Sequence, residues 1–398
     1  MSNVYRISVT LTEDIKPEAL QEALETVLPY FDTFKCRLKK GVFWYYFEEN
    51  SAEPPVVREE SSYPCMFINQ YDNRNYLFRL SYYKNRINIE VFHALTDGNG
   101  AVGFLKEITY AYLRLTHEEL GGLRDGLSPE TSLQVDDSYV ENYKHKEEKT
   151  YKTKRSVIIK GEYLPANEYA IIHGHVPVSE IKAVAKRYGV TINQYIVGRY
   201  AWAIYKKYLK GQPSKKPIAI AVPVNLRPYF ESATNKNFFV VVTAEFTPEK
   251  EEYTFEEVLS IIADSLREQI TKENLEKLFS YNVSNEKNIV LRAVPLFIKR
   301  IAIRSVYNAS AKANTTTVTN LGVIKASEPY DRYILGFHAI LAMSKGQNIK
   351  MTVFSYKDDM VITYSSSLRE NRLQREFFRG LASDGINVNI ETNGVYYE

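Results

Sequence analysis

Cysteine is scarce in this chain, with only Cys36 and Cys65 in 398 residues. So few thiols exclude a disulfide framework, and neither cysteine has the neighbours of a metal site. Cys36 lies in a strand-like run and reads as core. An excess of either charge is lacking too: 51 Lys and Arg stand against 48 Asp and Glu, interspersed, for a net charge of +3. Such a balance leaves no electrostatic footprint for nucleic acid. No run approaches the roughly 18 apolar residues of a membrane span. The opening Met1-Ser2-Asn3-Val4-Tyr5-Arg6 has no basic leader with an apolar continuation, so a cytoplasmic protein is expected. A Walker sequence, a G-x-S-x-G elbow and a Cys-x-x-Cys pair are also missing. Serine-nucleophile hydrolysis and dithiol redox therefore have no support.

What is present is a globular balance of 44% hydrophobic and 25% charged residues, long enough for two domains sharing a large core. Of the 31 tyrosines, many fall in alternating stretches such as Phe43-Trp44-Tyr45-Tyr46-Phe47 and read as strand packing. Periodicity predicts a strand over 3–11 and a helix from Pro17 bearing Leu20, Ala23, Leu24, Val27 and Leu28. A strand pair at 33–39 and 42–48 and strands at 75–83 and 86–93 follow, then a helix over 99–115. From about 117 to 167 the pattern fades into charged sequence, including Glu141 to Lys149, read as a solvated crossover. The second half restarts with a strand at 169–177, helices at 178–188 and 191–209, and strands at 217–224 and 237–247. Helices at 254–272 and 286–308, strands at 315–319, 333–342, 348–356 and 360–367, and a helix at 370–382 complete it. The expectation is α+β, in two loosely duplicated α/β lobes, 1–165 and 166–398.

The most informative run is Arg86-Ile87-Asn88-Ile89-Glu90-Val91-Phe92-His93-Ala94-Leu95-Thr96-Asp97-Gly98. Ile87, Ile89 and Val91 share one face at period two, and His93 continues that row to the strand end. Asp97-Gly98 suits a tight bend, the aspartate holding backbone amides or meeting a cation. That arrangement frees His93 to act as a base, since imidazole can take a proton from a hydroxyl near neutral pH.

These residues resemble the HxxxDG signature of the superfamily that includes chloramphenicol acetyltransferase, the dihydrolipoyl acyltransferases, the plant BAHD acyltransferases, alcohol acetyltransferases and peptide-synthetase condensation domains. His93, Asp97 and Gly98 fill its fixed positions. Many condensation domains carry a second histidine just before the catalytic one, where this chain has Phe92. The order of elements is similar to the two-lobed chloramphenicol acetyltransferase-like fold, which implies an active-site tunnel between the lobes.

Two further segments carry the same resemblance. The strand ending Val222-Pro223-Val224-Asn225-Leu226-Arg227-Pro228 is similar to one that supplies an arginine partner for the motif aspartate, which makes Arg227 the candidate partner of Asp97. Asn237-Phe238-Phe239 resembles the asparagine-aromatic segment near the tunnel floor. Thr317-Val318-Thr319-Asn320-Leu321-Gly322 reads like the Thr-Ile-Ser-Asn-Leu-Gly motif of dihydrolipoyl acyltransferases. Thr319 falls on the serine that donates to the oxyanion, and a threonine hydroxyl can make the same bond.

Two local patterns point elsewhere and are set aside. Gly98-Asn99-Gly100-Ala101-Val102-Gly103 satisfies G-x-G-x-x-G, with Glu118 and Glu119 beyond it. A Rossmann unit would need a second strand before that acidic residue, and Leu113-Arg114-Leu115-Thr116-His117 continues a helical stripe. His173-Gly174-His175 places two imidazoles on one strand face, but no third ligand is spaced nearby, so no metal is expected. The resemblance implies an acyltransferase with no permanent cofactor, acyl-coenzyme A as co-substrate, and His93 as general base without a covalent acyl-enzyme. The alternatives are condensation with a carrier-protein thioester and a catalytically silent binding protein of the same fold.

Overall fold

In the computed structural model, residues 3–123, 127–128, 131–143, 154–287 and 294–395 are described. Two sheets organise them. The first has the strand order β11-β1-β6-β5-β4, with β1 at Val4–Leu11, β4 at Arg58–Glu59, β5 at Phe78–Tyr83, β6 at Arg86–Phe92 and β11 at Ile334–Leu341. The second has the order β14-β7-β13-β12-β10-β8-β9. Its strands are β7 Ala170–Pro177, β8 Ile218–Asn225, β9 Phe239–Phe246, β10 Thr316–Ile324, β12 Ile349–Tyr356, β13 Asp359–Ser366 and β14 Asn389–Thr392. A separate hairpin pairs β2, Cys36–Lys40, with β3, Tyr45–Glu49.

Alternation in β1 sets the first layer. Tyr5, Ile7, Val9 and Leu11 join a core with Leu20, Ala23, Leu24 and Val27 of helix α1, Pro17–Val27, and with Phe104, Leu105 and Ile108 of helix α2, Gly98–Thr116. The opposite face is buried and polar: Arg6 pairs with Glu60 and Glu90, and Ser8 donates to Asn88 at 2.7 Å. Behind the second sheet, the helices Ile192–Ala203, Phe255–Gln269 and Arg372–Ser383 bury Tyr195, Tyr200, Leu259, Ile262, Phe377 and Leu381 in a second core. No helix among the described residues is long and apolar enough to cross a membrane.

The first sheet is not built from the first half alone. β11 comes from the 330s and pairs antiparallel with β1, Ser8 opposite His338. The face of β11 that carries His338 and Ile340 meets the second sheet: Ile340 clusters with Ile171 and Cys65, and Thr352 donates to the Ala339 carbonyl at 2.7 Å. Residues directly opposite across a ladder share a face. One row therefore crosses the second sheet from Thr319 through Thr352, Thr363 and His173 to Glu391, on the face that β11 covers. This polar row is the seam between the sheets.

Several elements differ from expectation. β10 does not stop at 319 but continues to Ile324 through a register shift between Asn320 and Val323. The helix Lys272–Lys287 was not expected, although Leu275, Phe279 and Val283 recur every fourth residue and are buried. The segment 288–293 of the helix expected at 286–308 lies outside the described residues, and a helix resumes at Leu296–Ser310. The charged stretch 144–149 of the expected crossover also lies outside them. β14 was missed because it is an exposed edge strand without an apolar run.

Candidate active site

Strand β6 ends on Phe92, and His93 is the first residue of the following turn, its amide donating to the Asn3 carbonyl at 2.8 Å. Asp97 then caps α2, its Oδ1 accepting from the amides of Asn99 at 3.1 Å and Gly100 at 3.2 Å. A carboxylate there satisfies amides that the helix leaves unpaired and meets the positive end of its dipole. Gly100 is required by close approach: a Cβ would stand 2.1 Å from Thr96 Oγ1 and 2.3 Å from the Asn235 carbonyl oxygen. Gly98 similarly makes room for Leu321, whose Cδ2 would be 2.3 Å from an added Cβ. Nothing lies within 4 Å of the equivalent point on Gly103, so the third glycine of the dinucleotide-like pattern packs against nothing.

Arg227 opens the short helical turn after β8 and reaches Asp97 with both ends of its fork, Nη1 to Oδ2 at 2.8 Å and Nη2 to Oδ1 at 3.2 Å. Its remaining donors go to the carbonyls of Thr234 at 2.9 Å and Lys236 at 2.7 Å and to Asn225 Oδ1 at 3.2 Å. The Phe238 amide gives Asp97 Oδ2 a further bond at 3.0 Å. Asp97 is buried and accepts from three backbone amides and a guanidinium, so its oxygens are hydrogen-bonded to groups other than the His93 ring. The pair joins the two halves of the chain and fixes the turn on which the imidazole stands.

Around His93, Tyr5 packs edge-on with ring centroids 4.8 Å apart, and its hydroxyl donates to the carbonyls of Thr96 at 3.0 Å and Asp97 at 2.9 Å. Phe239 lies 5.9 Å away on the other side. Asn237 donates from Nδ2 to the His93 carbonyl at 3.1 Å, which ties β9's approach to the motif turn. Burial pushes the imidazole below its usual 6.5; hydrogen bonding to its own backbone, Asp97 and Asn237 pull the other way, and Lys350 adds to the lowering. The ring is neutral at neutral pH and can accept a proton. Lys350 lies on β12 in the same seam, and burial brings its ammonium down to about 8.

His93 and Thr319 line one cavity of about 60 Å³, together with Asp97, Gly98, Asn225, Phe239 and Leu321. Among the described residues the Thr319 hydroxyl has no hydrogen-bond partner, so its proton is free to be donated into that space. Wider cavities of about 770 Å³ and 470 Å³ lie elsewhere, the first beside Cys65, Tyr169 and Met343, the second over Arg6, Glu60 and Arg79. His93, Asp97, Gly98, Arg227, Asn237 and Thr319 thus all fall in one neighbourhood. Tyr5, Asn225, Phe239 and Lys350 belong to it as well; Phe239 closes the asparagine-aromatic segment read from the sequence, whereas the other three carry no role there. Asn225 lies inside the Val222–Pro228 run, whereas Tyr5 and Lys350 carry no local signal.

No protein-family model matches this chain, and no curated protein does. Solved structures do. Polyketide synthase associated protein 5 from Mycobacterium tuberculosis is similar at 12% identity and a TM-score of 0.63, over 96% of this chain and 93% of that one. The first condensation domain of the CDA synthetase is similar at 12% identity and a TM-score of 0.61, over 96% and 91%. TRI101 of F. sporotrichioides, solved with coenzyme A and T-2, is similar at 11% identity and a TM-score of 0.61, over 94% and 93%. The chain shares their fold. It is α+β throughout, and the likeness to condensation domains and to the chloramphenicol acetyltransferase-like architecture extends over nearly all of its length.

Proposed function

We propose that this protein is an acyltransferase that moves an acyl group from acyl-coenzyme A to an alcohol or amine, with His93 as general base. The observation that carries the reading is a neutral imidazole and an unpartnered Thr319 hydroxyl facing the same small cavity at the seam of the two sheets. The acceptor O–H or N–H loses its proton to the His93 ring as the heteroatom attacks the thioester carbonyl carbon. Charge then develops on the carbonyl oxygen, where Thr319 donates a hydrogen bond. Collapse breaks the C–S bond, and the departing thiolate takes the proton back from His93. No residue is acylated, in keeping with a site that holds no serine or cysteine nucleophile among its lining residues. Asp97 and Arg227 serve by holding the turn, and Asn237 by holding the His93 carbonyl.

Coenzyme A as donor draws on the TRI101 complex and carries over to this chain as part of the proposal. A carrier-protein thioester, as condensation domains would suggest, is the alternative donor. Purified protein is mixed with acyl-coenzyme A or an acylated carrier, with a panel of alcohols and amines, and free thiol is followed. Thiol release from acyl-coenzyme A that is lost in His93→Ala is the expected result. Release from the carrier alone would reassign the donor, and no release from either donor with any acceptor overturns the reading.

A further inference from the structure

His173 and His175 project from one face of β7 onto the even-numbered face of β11, where His338 meets them: the ring centroids of His173 and His338 are 4.6 Å apart, and those of His175 and His338 are 5.8 Å apart. From the sheet edge, β14 brings Glu391, with a carboxylate oxygen 3.7 Å from His175 Nε2. One donor atom each from His175, His338 and Glu391 all lie within 4.8 Å of one another. Two of the ring nitrogens here, His175 Nε2 and His338 Nδ1, are buried without a hydrogen-bond partner. Buried polar atoms are nearly always hydrogen-bonded, so His338 Nδ1, with none, and His175 Nε2, with only the Glu391 carboxylate at 3.7 Å, together call for a ligand.

The surroundings fit a cation. His175 Nδ1 is 2.8 Å from Asp359 Oδ2, the carboxylate–histidine arrangement that fixes a ligating ring and raises its basicity. His173 Nδ1 is engaged by Thr363 at 2.7 Å and makes a wall of the cluster. Asp359 and Glu391 bring two negative charges to the cluster, while Arg86, whose charge bears on His173 and His338, is itself paired with Glu60 at 3.0 Å. Zinc at ~2.0–2.1 Å from nitrogen and oxygen in a tetrahedral site needs its ligand atoms to draw in to roughly 3.3 Å of each other. Glu391 can supply that movement, since its side chain is 59% exposed.

We propose that His175, His338 and Glu391 bind a divalent cation of the zinc class, with Asp359 orienting His175 and water completing the shell. Because β11 belongs to one sheet and β7 and β14 to the other, the ion ties the two sheets together. Four strand spacings of ~4.8 Å separate Glu391 from Thr319 along the seam, about 19 Å, so the ion braces the fold and stays clear of the transfer chemistry.

Cobalt(II) tests it directly as a coloured stand-in for zinc. Full-length protein freed of metal by chelator should take one equivalent of cobalt with visible d–d absorption, and zinc should raise its melting temperature. Both responses should be abolished in His338→Ala and His175→Ala and kept in His93→Ala, while Asp359→Asn weakens binding by about 10- to 100-fold. Glu391→Gln keeps the proposal testable should a histidine variant fail to fold, because this exposed side chain can lose its charge without disturbing the core; it too should bind far more weakly. Cobalt binding that survives His175→Ala and His338→Ala overturns the site. So does the absence of both a cobalt band and a zinc-dependent melting shift, which would leave His175 as an imidazolium between two carboxylates.

Discussion

The two ends of the seam put imidazoles next to carboxylates in opposite ways. At the His93 end, Asp97 sits four residues from the histidine but spends its oxygens on the guanidinium of Arg227 and three backbone amides. Burial then dominates, and His93 is held below the usual imidazole range. At the other end, Asp359 and Glu391 face His175 itself, and hydrogen bonding to Asp359 raises that ring above 6.5. A carboxylate aimed at a ring makes it a cation or a metal ligand, whereas one aimed at the backbone leaves the ring free to take a proton. Direction, more than proximity, separates the proposed base from the proposed clamp.

The sharpest way to break this comparison is His93→Ala. It should lower the transfer rate by about 10²- to 10⁴-fold with an unchanged melting curve; thiol release at the parental rate would remove the base assignment. Arg227→Ala tests the other half of the contrast, since it leaves Asp97 buried without its cation. A stability loss of about 3–5 kcal/mol in denaturant titration is expected, and a loss under 1 kcal/mol would mean that the amides alone hold the carboxylate. Thr319→Val, which keeps the shape and removes the hydroxyl, should slow transfer by about 10²-fold, with Thr319→Ser close to the parent. Equal rates for valine and threonine would show that the oxyanion is held elsewhere.

The smallest effect is in the pH profile. His93 titrates below 6.5, so the active neutral form is fully present at neutral pH and kcat/KM should fall only on the acid side, through a midpoint lower than 6.5. The sign follows from burial disfavouring the imidazolium. A midpoint above 6.5 in the free enzyme would place His93 under carboxylate control like His175 and erase the distinction drawn between the two ends.

Much of the His93 end was legible in the sequence. His93, Asp97 and Gly98 are close in the chain, and their geometry follows from a strand, a turn and a helix start. Arg227 and Thr319 were legible only through the resemblance of their runs to family segments, and the bond from Arg227 to Asp97 is there in the structure. What could not be read was the continuation of β10 past Asn320-Leu321-Gly322, because asparagine and glycine ordinarily signal a turn, whereas here a parallel partner, β12, carries the strand through. Tyr5 was invisible as a neighbour of His93, since only sheet pairing of β1 with β6 brings them together. His173 and His175 were visible as a pair but short of a third ligand. His338 and Glu391 arrive from strands far along the chain, one on the opposite sheet.

By itself, then, the sequence determined the local elements and the candidate residues they carry, because periodicity, capping and turn preferences act over a few residues. Tertiary structure alone decided which of those residues meet. The strand order, with β11 crossing to the first sheet and β14 closing the second, sets every contact across the seam. Such pairings are fixed by burial and ladder hydrogen bonds between segments whose separation along the chain leaves no periodic trace.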